Sequence, residues 1–312
     1  MLDVIGLVVP FFALILTGFV LGKRGSHELS ALGWMNTFVV YVALPALFFK
    51  LMSKTPVEQF GEWHFVLGAT GSTFLLFAAT LAGVRLLTRA TIPEAMIQGF
   101  ASAYGNIGYM GPGLALVAFG EQAAVPVALI FCFDNALHFT MAPTIMALSD
   151  RQPVHAVRLA GQVAWKILTH PFILATIIGV AYAVIGIEFP APILRFVDLL
   201  ANAAAPCALF AMGVTLAMRN VRSVPVEMSY IAPLKLIVHP LLVWLVGAFV
   251  IEVEPLPLAI ATLTAALPIG ANVYLFAQRY EAQVGEVSAA VTLSTLAAAL
   301  SLPWLLLWLP GR

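Results

Sequence analysis

The chain has 312 residues, 62% of them hydrophobic and only 10% charged, and its 15 Lys and Arg balance 15 Asp and Glu. A water-soluble core cannot use that much apolar surface, whereas repeated apolar runs of roughly 18 to 25 residues fit a hydrocarbon layer ~30 Å thick. The composition excludes an ordinary soluble domain and predicts an all-α polytopic membrane protein.

The opening run, MLDVIGLVVPFFALILTGFVLG, has no basic residue ahead of it and is long enough to span, so it reads as the first membrane helix and not as a cleavable signal peptide. Ten spans are predicted in all, over 4–22, 29–52, 64–87, 94–119, 123–148, 166–186, 193–217, 229–250, 257–280 and 285–309. The longest polar connection, SDRQPVHAVRLAGQVAWK, follows the fifth span. It divides the chain into a first five-helix repeat (1–149), a cytoplasmic linker (150–165) and a second repeat (166–312). Cys132 and Cys207 fall inside apolar segments with no neighbouring thiol or metal-ligand cluster, so both read as small packing residues.

Cytoplasmic loops collect Lys and Arg. One set of alternate loops holds ten, namely Lys23, Arg24, Arg85, Arg89, Arg151, Arg158, Lys166, Arg219, Arg222 and Arg279, and the opposite set holds four, Lys50, Lys54, Arg195 and Arg312. A miscounted span would scramble this partition from that point on. The split therefore predicts ten spans with both termini outside the cytoplasm.

At an offset of 161 residues, PFFALILTG from Pro10 meets PFILATIIG from Pro171, and Pro45 in ALPALFF meets Pro206 in AAPCALF. Five helices per half is an odd number, so the second half enters from the opposite face. The expected architecture is a pair of inverted five-helix repeats, in which substrate sits where corresponding helices are broken near the midplane. The fourth span contains YGNIGYMGPG, with Asn106, Gly108 and Pro112, and the ninth contains LPIGANVY, with Pro268 and Asn272. Asn106 lies 12 residues into its span and Asn272 lies 15 into its own. At the helical rise these are depths of about 18 and 22 Å. Unpaired backbone at that depth survives only inside protein or beside a wet cavity. Each break offers carbonyls at one half-helix end and amide hydrogens at the other, which suits an anion on the amide ends and a cation on the carbonyls. Other prolines in the spans are expected to do no more than kink them.

Asp134, in LIFCFDNALHFTMAP, is the acidic residue deepest inside a span, and His138 follows one turn later on the same face. Intramembrane acids serve ion or proton pathways, or fix helix packing through hydrogen bonds; both readings stand for Asp134, and a coupling proton on Asp134 with His138 is the functional one. Asn135 is adjacent but points elsewhere. Lys235 and His239 sit one turn apart in LKLIVHPLL. Lys235 is close to the cytoplasmic end, so snorkelling is its simplest reading, and a counter-charge for an anionic substrate or for Asp134 is the alternative.

The stretches NIGYMGPGLALVAFG, LKLIVHPLL and LPIGANVYLFAQRY resemble the auxin efflux carrier family, and the resemblance runs from the first span to the last. The short central linker is similar to that of bacterial members, which include permeases for malonate and other small carboxylates. The resemblance implies ten helices with crossing broken helices 4 and 9, a fold related to bile acid/sodium symporters, and crossover positions at Asn106, Gly108, Pro112, Pro268 and Asn272. It also brings the region of Pro45 to the substrate pocket. The expectation is a secondary transporter of a small organic anion, a mono- or dicarboxylate or an auxin-like acid, working by alternating access. A scaffold of helices 1, 2, 6 and 7 would carry the moving bundle. No cofactor or metal is expected; the coupling ion is a proton or, second, sodium. The partners are the anion and the lipid bilayer, with no nucleic acid, and a homodimer is left open. A channel or sensor on the same fold is the alternative. An intramembrane enzyme is not expected, since no HExxH, DDxxD or paired intramembrane aspartates occur.

Overall fold

The computed structural model describes residues 2–25, 32–54, 64–149, 168–186, 189–218 and 229–310, with 161 and 165. Arg151, Arg158, Lys166, Arg219, Arg222 and Arg312, used above for orientation, lie outside them, as does nearly all of the 150–165 linker. Among the described residues every regular element is helical. In chain order the helices are α1 (Leu2–Arg24), α2 (Leu32–Phe38), α3 (Leu44–Ser53), α4 (His64–Leu87), α5 (Ile92–Ala103), α6 (Gly111–Phe119), α7 (Ala124–Ser149), α8 (Pro171–Ile185) and α9 (Ala191–Met218). They continue with α10 (Ile231–Pro233), α11 (His239–Phe249), α12 (Pro255–Ala265), α13 (Ala271–Arg279) and α14 (Val284–Trp308).

Six stretches of the described residues are long and apolar enough to cross a membrane: Leu32–Ser53, His64–Leu87, Gly111–Met146, Ala191–Met218, Ile231–Phe249 and Val284–Trp308. This is coarser than the ten spans read from the sequence, and interruption is part of the reason. α12 has 11 residues, or about 17 Å at the helical rise, roughly half the hydrocarbon layer.

Proline shapes several helices. Pro10, Pro143, Pro206 and Pro303 lie inside continuous helices. Pro45 and Pro240 instead follow wide π turns, Val39–Ala43 between α2 and α3 and Leu234–Val238 between α10 and α11. A proline has no N–H to give and its ring crowds the carbonyl one turn back, and an extra residue in that turn relieves both.

The described residues form two compact units. The first holds α1, α2, α3, α6, the start of α7, α8 and α9. Its central contact is α1 against α9, where a Cβ on Gly18 would collide with the Phe210 carbonyl and one on Gly213 with the Ile15 carbonyl. Gly18 and Gly22 are spaced four apart, the pattern that lets two membrane helices approach backbone to backbone. α3 packs on α8, with the Phe48 and Phe172 rings edge to face, and Lys50 pairs with Asp198 of α9 at 2.8 Å.

The second unit holds α4, α5, the rest of α7 and α10 to α14. α4 packs on α5, α11 and α12, and α13 packs on α14 and α5. The face of α14 bearing Leu296, Leu300 and Trp304 is exposed, as a lipid-facing surface would be.

Candidate functional site

In the second unit, the ends of α5 and α12 run into each other. α5 stops at Ala103 and helix resumes at Gly111; α12 stops at Ala265 and helix resumes at Ala271. Between these ends, Gly105 and Ile269 form an isolated antiparallel bridge. The Asn106 N–H donates to the Pro268 carbonyl at 2.8 Å, and the Gly270 N–H donates to the Tyr104 carbonyl at 3.0 Å. The Ile269 N–H is taken by Ser294 Oγ of α14 at 3.1 Å. These bonds satisfy backbone that both helices leave open, which is the condition for non-helical chain in an apolar interior. Glycine suits the close approach of the two segments, most tightly at Gly270. A Cβ on Gly270 would lie 2.8 Å from the Gly105 carbonyl oxygen, and one on Gly105 would lie 3.2 Å from the Thr264 carbonyl oxygen and 3.3 Å from Lys235 Nζ.

Lys235 therefore stands at the crossing. It is fully buried, and its Nζ donates to the Ala265 carbonyl at the end of α12 and to His239 Nδ1 at 3.0 Å. A helix C-terminus carries partial negative charge, so an ammonium there neutralises the half-helix end facing the break. The snorkelling reading is corrected: distance along its own span said nothing of the α12 carbonyl, 30 residues later, that captures the side chain.

From His239 the contacts continue inward. His239 Nε2 lies 3.1 Å from Thr73 Oγ1 of α4. Thr73 Oγ1 is within reach of Asp134 Oδ2 at 3.4 Å and of its own Ala69 carbonyl at 3.1 Å. Thr70 Oγ1 donates to Asp134 Oδ1 at 2.9 Å. Asp134 is 2% exposed and makes no direct ion pair with Lys235. A lone buried carboxylate is costly, and here hydroxyl donors from α4 and the nearby ammonium offset that cost.

A second polar cluster adjoins the first. Tyr104 OH donates to Asn135 Oδ1, and Asn272 Nδ2 donates to Tyr104 OH at 2.9 Å. Asn135 anchors itself by donating to its own Phe131 carbonyl. His138 points its Nδ1 at the Asp134 backbone carbonyl, 2.6 Å away, and not at the carboxylate. A carbonyl only accepts, so Nδ1 carries hydrogen and the neutral ring's Nε2 keeps its lone pair. That Nε2 is buried without a hydrogen-bond partner among the described residues, and the ring lies 4.2 Å from that of Tyr104.

The sequence-predicted residues are distributed as follows. Asn106, Pro268 and Asn272 meet at the crossing, with Asn106 and Pro268 buried and Asn272 half-buried on the first turn of α13. Gly108 faces the Phe131 ring. Asp134, His138, Lys235 and His239 gather beside the crossing in the same unit. Pro112, buried on the first turn of α6, and Pro45, half-buried on the first turn of α3, belong to the other unit. Thr70, Thr73, Tyr104 and Ser294 are not singled out by the sequence, and Asn135, read there as pointing elsewhere, joins the second cluster. Among the described residues no group of three or more His, Cys, Asp or Glu gathers as a metal site.

Two interrupted helices, paired through their backbones and flanked by buried polar groups, are the arrangement expected of a membrane carrier. The family profile described as Membrane transport protein matches residues 3–306. The chain belongs to this family. The auxin efflux carrier resemblance read from the motifs is thereby established over nearly the whole sequence. Within the family, the chain is 50% identical over 296 residues to the "Putative malonate transporter" of Rhizobium meliloti (strain 1021), covering 95% of this chain and 92% of that one. It is 24% identical to the "Uncharacterized transporter YfdV" of Escherichia coli (strain K12), covering 98% and 96%. A 23% match to the "Lysosomal cholesterol signaling protein" of Mus musculus takes in 92% of this chain but 35% of that longer protein. A multi-pass membrane transporter, and not an enzyme, is the class that the family profile and the bacterial relatives share.

Proposed function

We propose that this transporter carries a small organic anion, a mono- or dicarboxylate, across the bacterial inner membrane by alternating access, coupled to a proton on Asp134. The observation that carries the reading is the paired interruption. Asn272 sits on the first turn of α13, where amide hydrogens have no partner within the helix. The opposing α12 carbonyl end is neutralised by Lys235. A carboxylate at the crossing thus meets positive partial charge and amide donors, and the negative helix end that would repel it is masked.

Alternating access needs two internally well-packed bodies. In this reading α1, α2, α3, α8 and α9 supply the scaffold, and the broken helices move with their bundle. In this account the chain makes ten passes as two inverted repeats, with both termini outside the cytoplasm. The name of the Rhizobium relative makes malonate the first substrate to test. Purified protein in proteoliposomes should show saturable malonate counterflow, and substrates that compete with it define the class. Flux without counterflow would mark a channel. A sensor on the same fold is the second reading, favoured by the name of the mouse relative. It predicts carboxylate binding by thermal shift with no counterflow.

A further inference from the structure

The buried residues between Asp134 and Lys235 form an unbroken line of groups able to give and take hydrogen. An ammonium only donates, so with Lys235 charged, His239 Nδ1 accepts at 3.0 Å and His239 Nε2 carries the ring hydrogen toward Thr73 Oγ1, 3.1 Å away. Thr73 in turn has its hydroxyl hydrogen free to alternate between the Ala69 carbonyl and Asp134 Oδ2. With the Thr73 hydroxyl turned to Asp134, every hydrogen in the line points the same way, from Lys235 to Asp134. Thr70 holds the far carboxylate oxygen and takes no part in the line.

We infer that Lys235, His239, Thr73 and Asp134 form a proton relay that links the coupling carboxylate to the helix crossing, so that each carboxylate group crosses with a single proton. The inference rests on the transport reading above and extends it. In the relay step Lys235 gives a proton to His239 Nδ1, His239 Nε2–H passes to Thr73 Oγ1, and the Thr73 hydroxyl hydrogen passes to Asp134 Oδ2. The products are a neutral amine, a neutral imidazole in its other tautomer, an intact threonine hydroxyl and a carboxylic acid. One proton has moved and the total charge has not changed.

A proton arriving from solvent does change it. The resting pair, Lys235 ammonium and Asp134 carboxylate, sums to zero. Relay of a proton to Asp134, with the Lys235 amine then reprotonated from the crossing, leaves the ammonium uncompensated at the Ala265 carbonyl, beside Gly105 and the crossing. In an apolar interior that excess is relieved by one carboxylate at the crossing. Two titratable side chains outside the relay face the line: His138 from α7, bonded to the Asp134 backbone, and Tyr104 just after α5, against the His138 ring. His138 is the nearest competitor for the proton, since its Nε2 is open, so the test must separate it from the relay.

The test uses full-length protein in proteoliposomes with a trapped pH dye and radiolabelled malonate, reading protons moved per anion beside anion exchange. In wild type, uptake acidifies the lumen. His239→Gln can keep both hydrogen bonds but cannot pass a proton by changing tautomer, and Thr73→Val removes the hydroxyl at nearly constant volume. Both are expected to lose proton co-movement at least tenfold more than exchange, while Thr73→Ser and His138→Gln keep the wild-type ratio. Variants that keep the ratio without Thr73 or His239 overturn the relay, as does its loss in His138→Gln alone. Wild-type counterflow together with net uptake that does not acidify the lumen overturns the relay and leaves the carrier reading standing; no counterflow overturns both. If neither disruptive variant folds, wild type in D2O decides: slower coupled uptake with unaltered exchange supports the relay, and equal slowing overturns it.

Discussion

Substituting Gly270 with alanine tests whether the crossing is a packed joint. Gly270 has φ −66° and ψ 140°, a backbone any residue adopts, so the cost is purely steric. The added Cβ would sit 2.8 Å from the Gly105 carbonyl oxygen and 3.0 Å from Tyr104 Cδ1. The first of these atoms is backbone inside the bridge, and it cannot retreat without loosening the Asn106 to Pro268 and Gly270 to Tyr104 bonds. Overpacking costs about 1–3 kcal/mol and each of the two loosened bonds about 1 kcal/mol, so a total of about 3–5 kcal/mol is expected. For a chain of this size that lowers the melting temperature by about 5–8 °C. The assay is thermal unfolding in detergent, with Gly71→Ala as comparison. A Cβ on Gly71 meets nothing within 4 Å, and alanine there stabilises helix α4 by about 0.5–1 kcal/mol. Equal melting of Gly270→Ala and wild type would refute the close crossing.

Asp134→Asn should abolish proton-driven accumulation and flatten the rise of uptake at acid pH, measured as initial rates across a pH series. Tyr104→Phe strips the shared hydroxyl from Asn135 and Asn272; a stability loss of about 1–2 kcal/mol by thermal unfolding is expected, with weaker anion affinity from the thermal-shift midpoint. In the first unit, Gly213→Ala drives a methyl into the Ile15 carbonyl and should lower stability by about 1–3 kcal/mol, read in the same melting assay. Removing the half-exposed Lys50–Asp198 pair with Lys50→Ala should change stability by no more than about 1 kcal/mol.

The breaks were legible because Gly, Pro and Asn clusters inside apolar runs have few other readings, and the structure interrupts helix at both. Asp134 and the Lys235/His239 pair were legible as charge where charge is expensive. Their connection was not. Thr73 reads as one of many threonines that return a hydrogen bond to their own helix, and only the packing of α4 against α11 brings it to His239. The role of Lys235 was misread for a similar reason: depth from its own helix end is a local quantity, whereas its partner, Ala265, is set by tertiary packing. Tyr104 was quoted as part of a break and not weighed as a side chain, though a tyrosine beside two glycines at that depth needs a partner for its hydroxyl. Loop charge and helix parity are the sequence grounds for expecting ten passes; by length and apolarity six stretches of the described residues register as spans, and α12 is too short to be one.

Counterflow is the most direct measurement of the central claim. Proteoliposomes containing the full chain, preloaded with unlabelled malonate and diluted into trace labelled malonate, are predicted to accumulate label transiently above equilibrium. Asn272→Ala should weaken that overshoot at least tenfold by removing the amide at the α13 end. No overshoot with malonate or any other small carboxylate, from protein that melts cooperatively, would contradict the account.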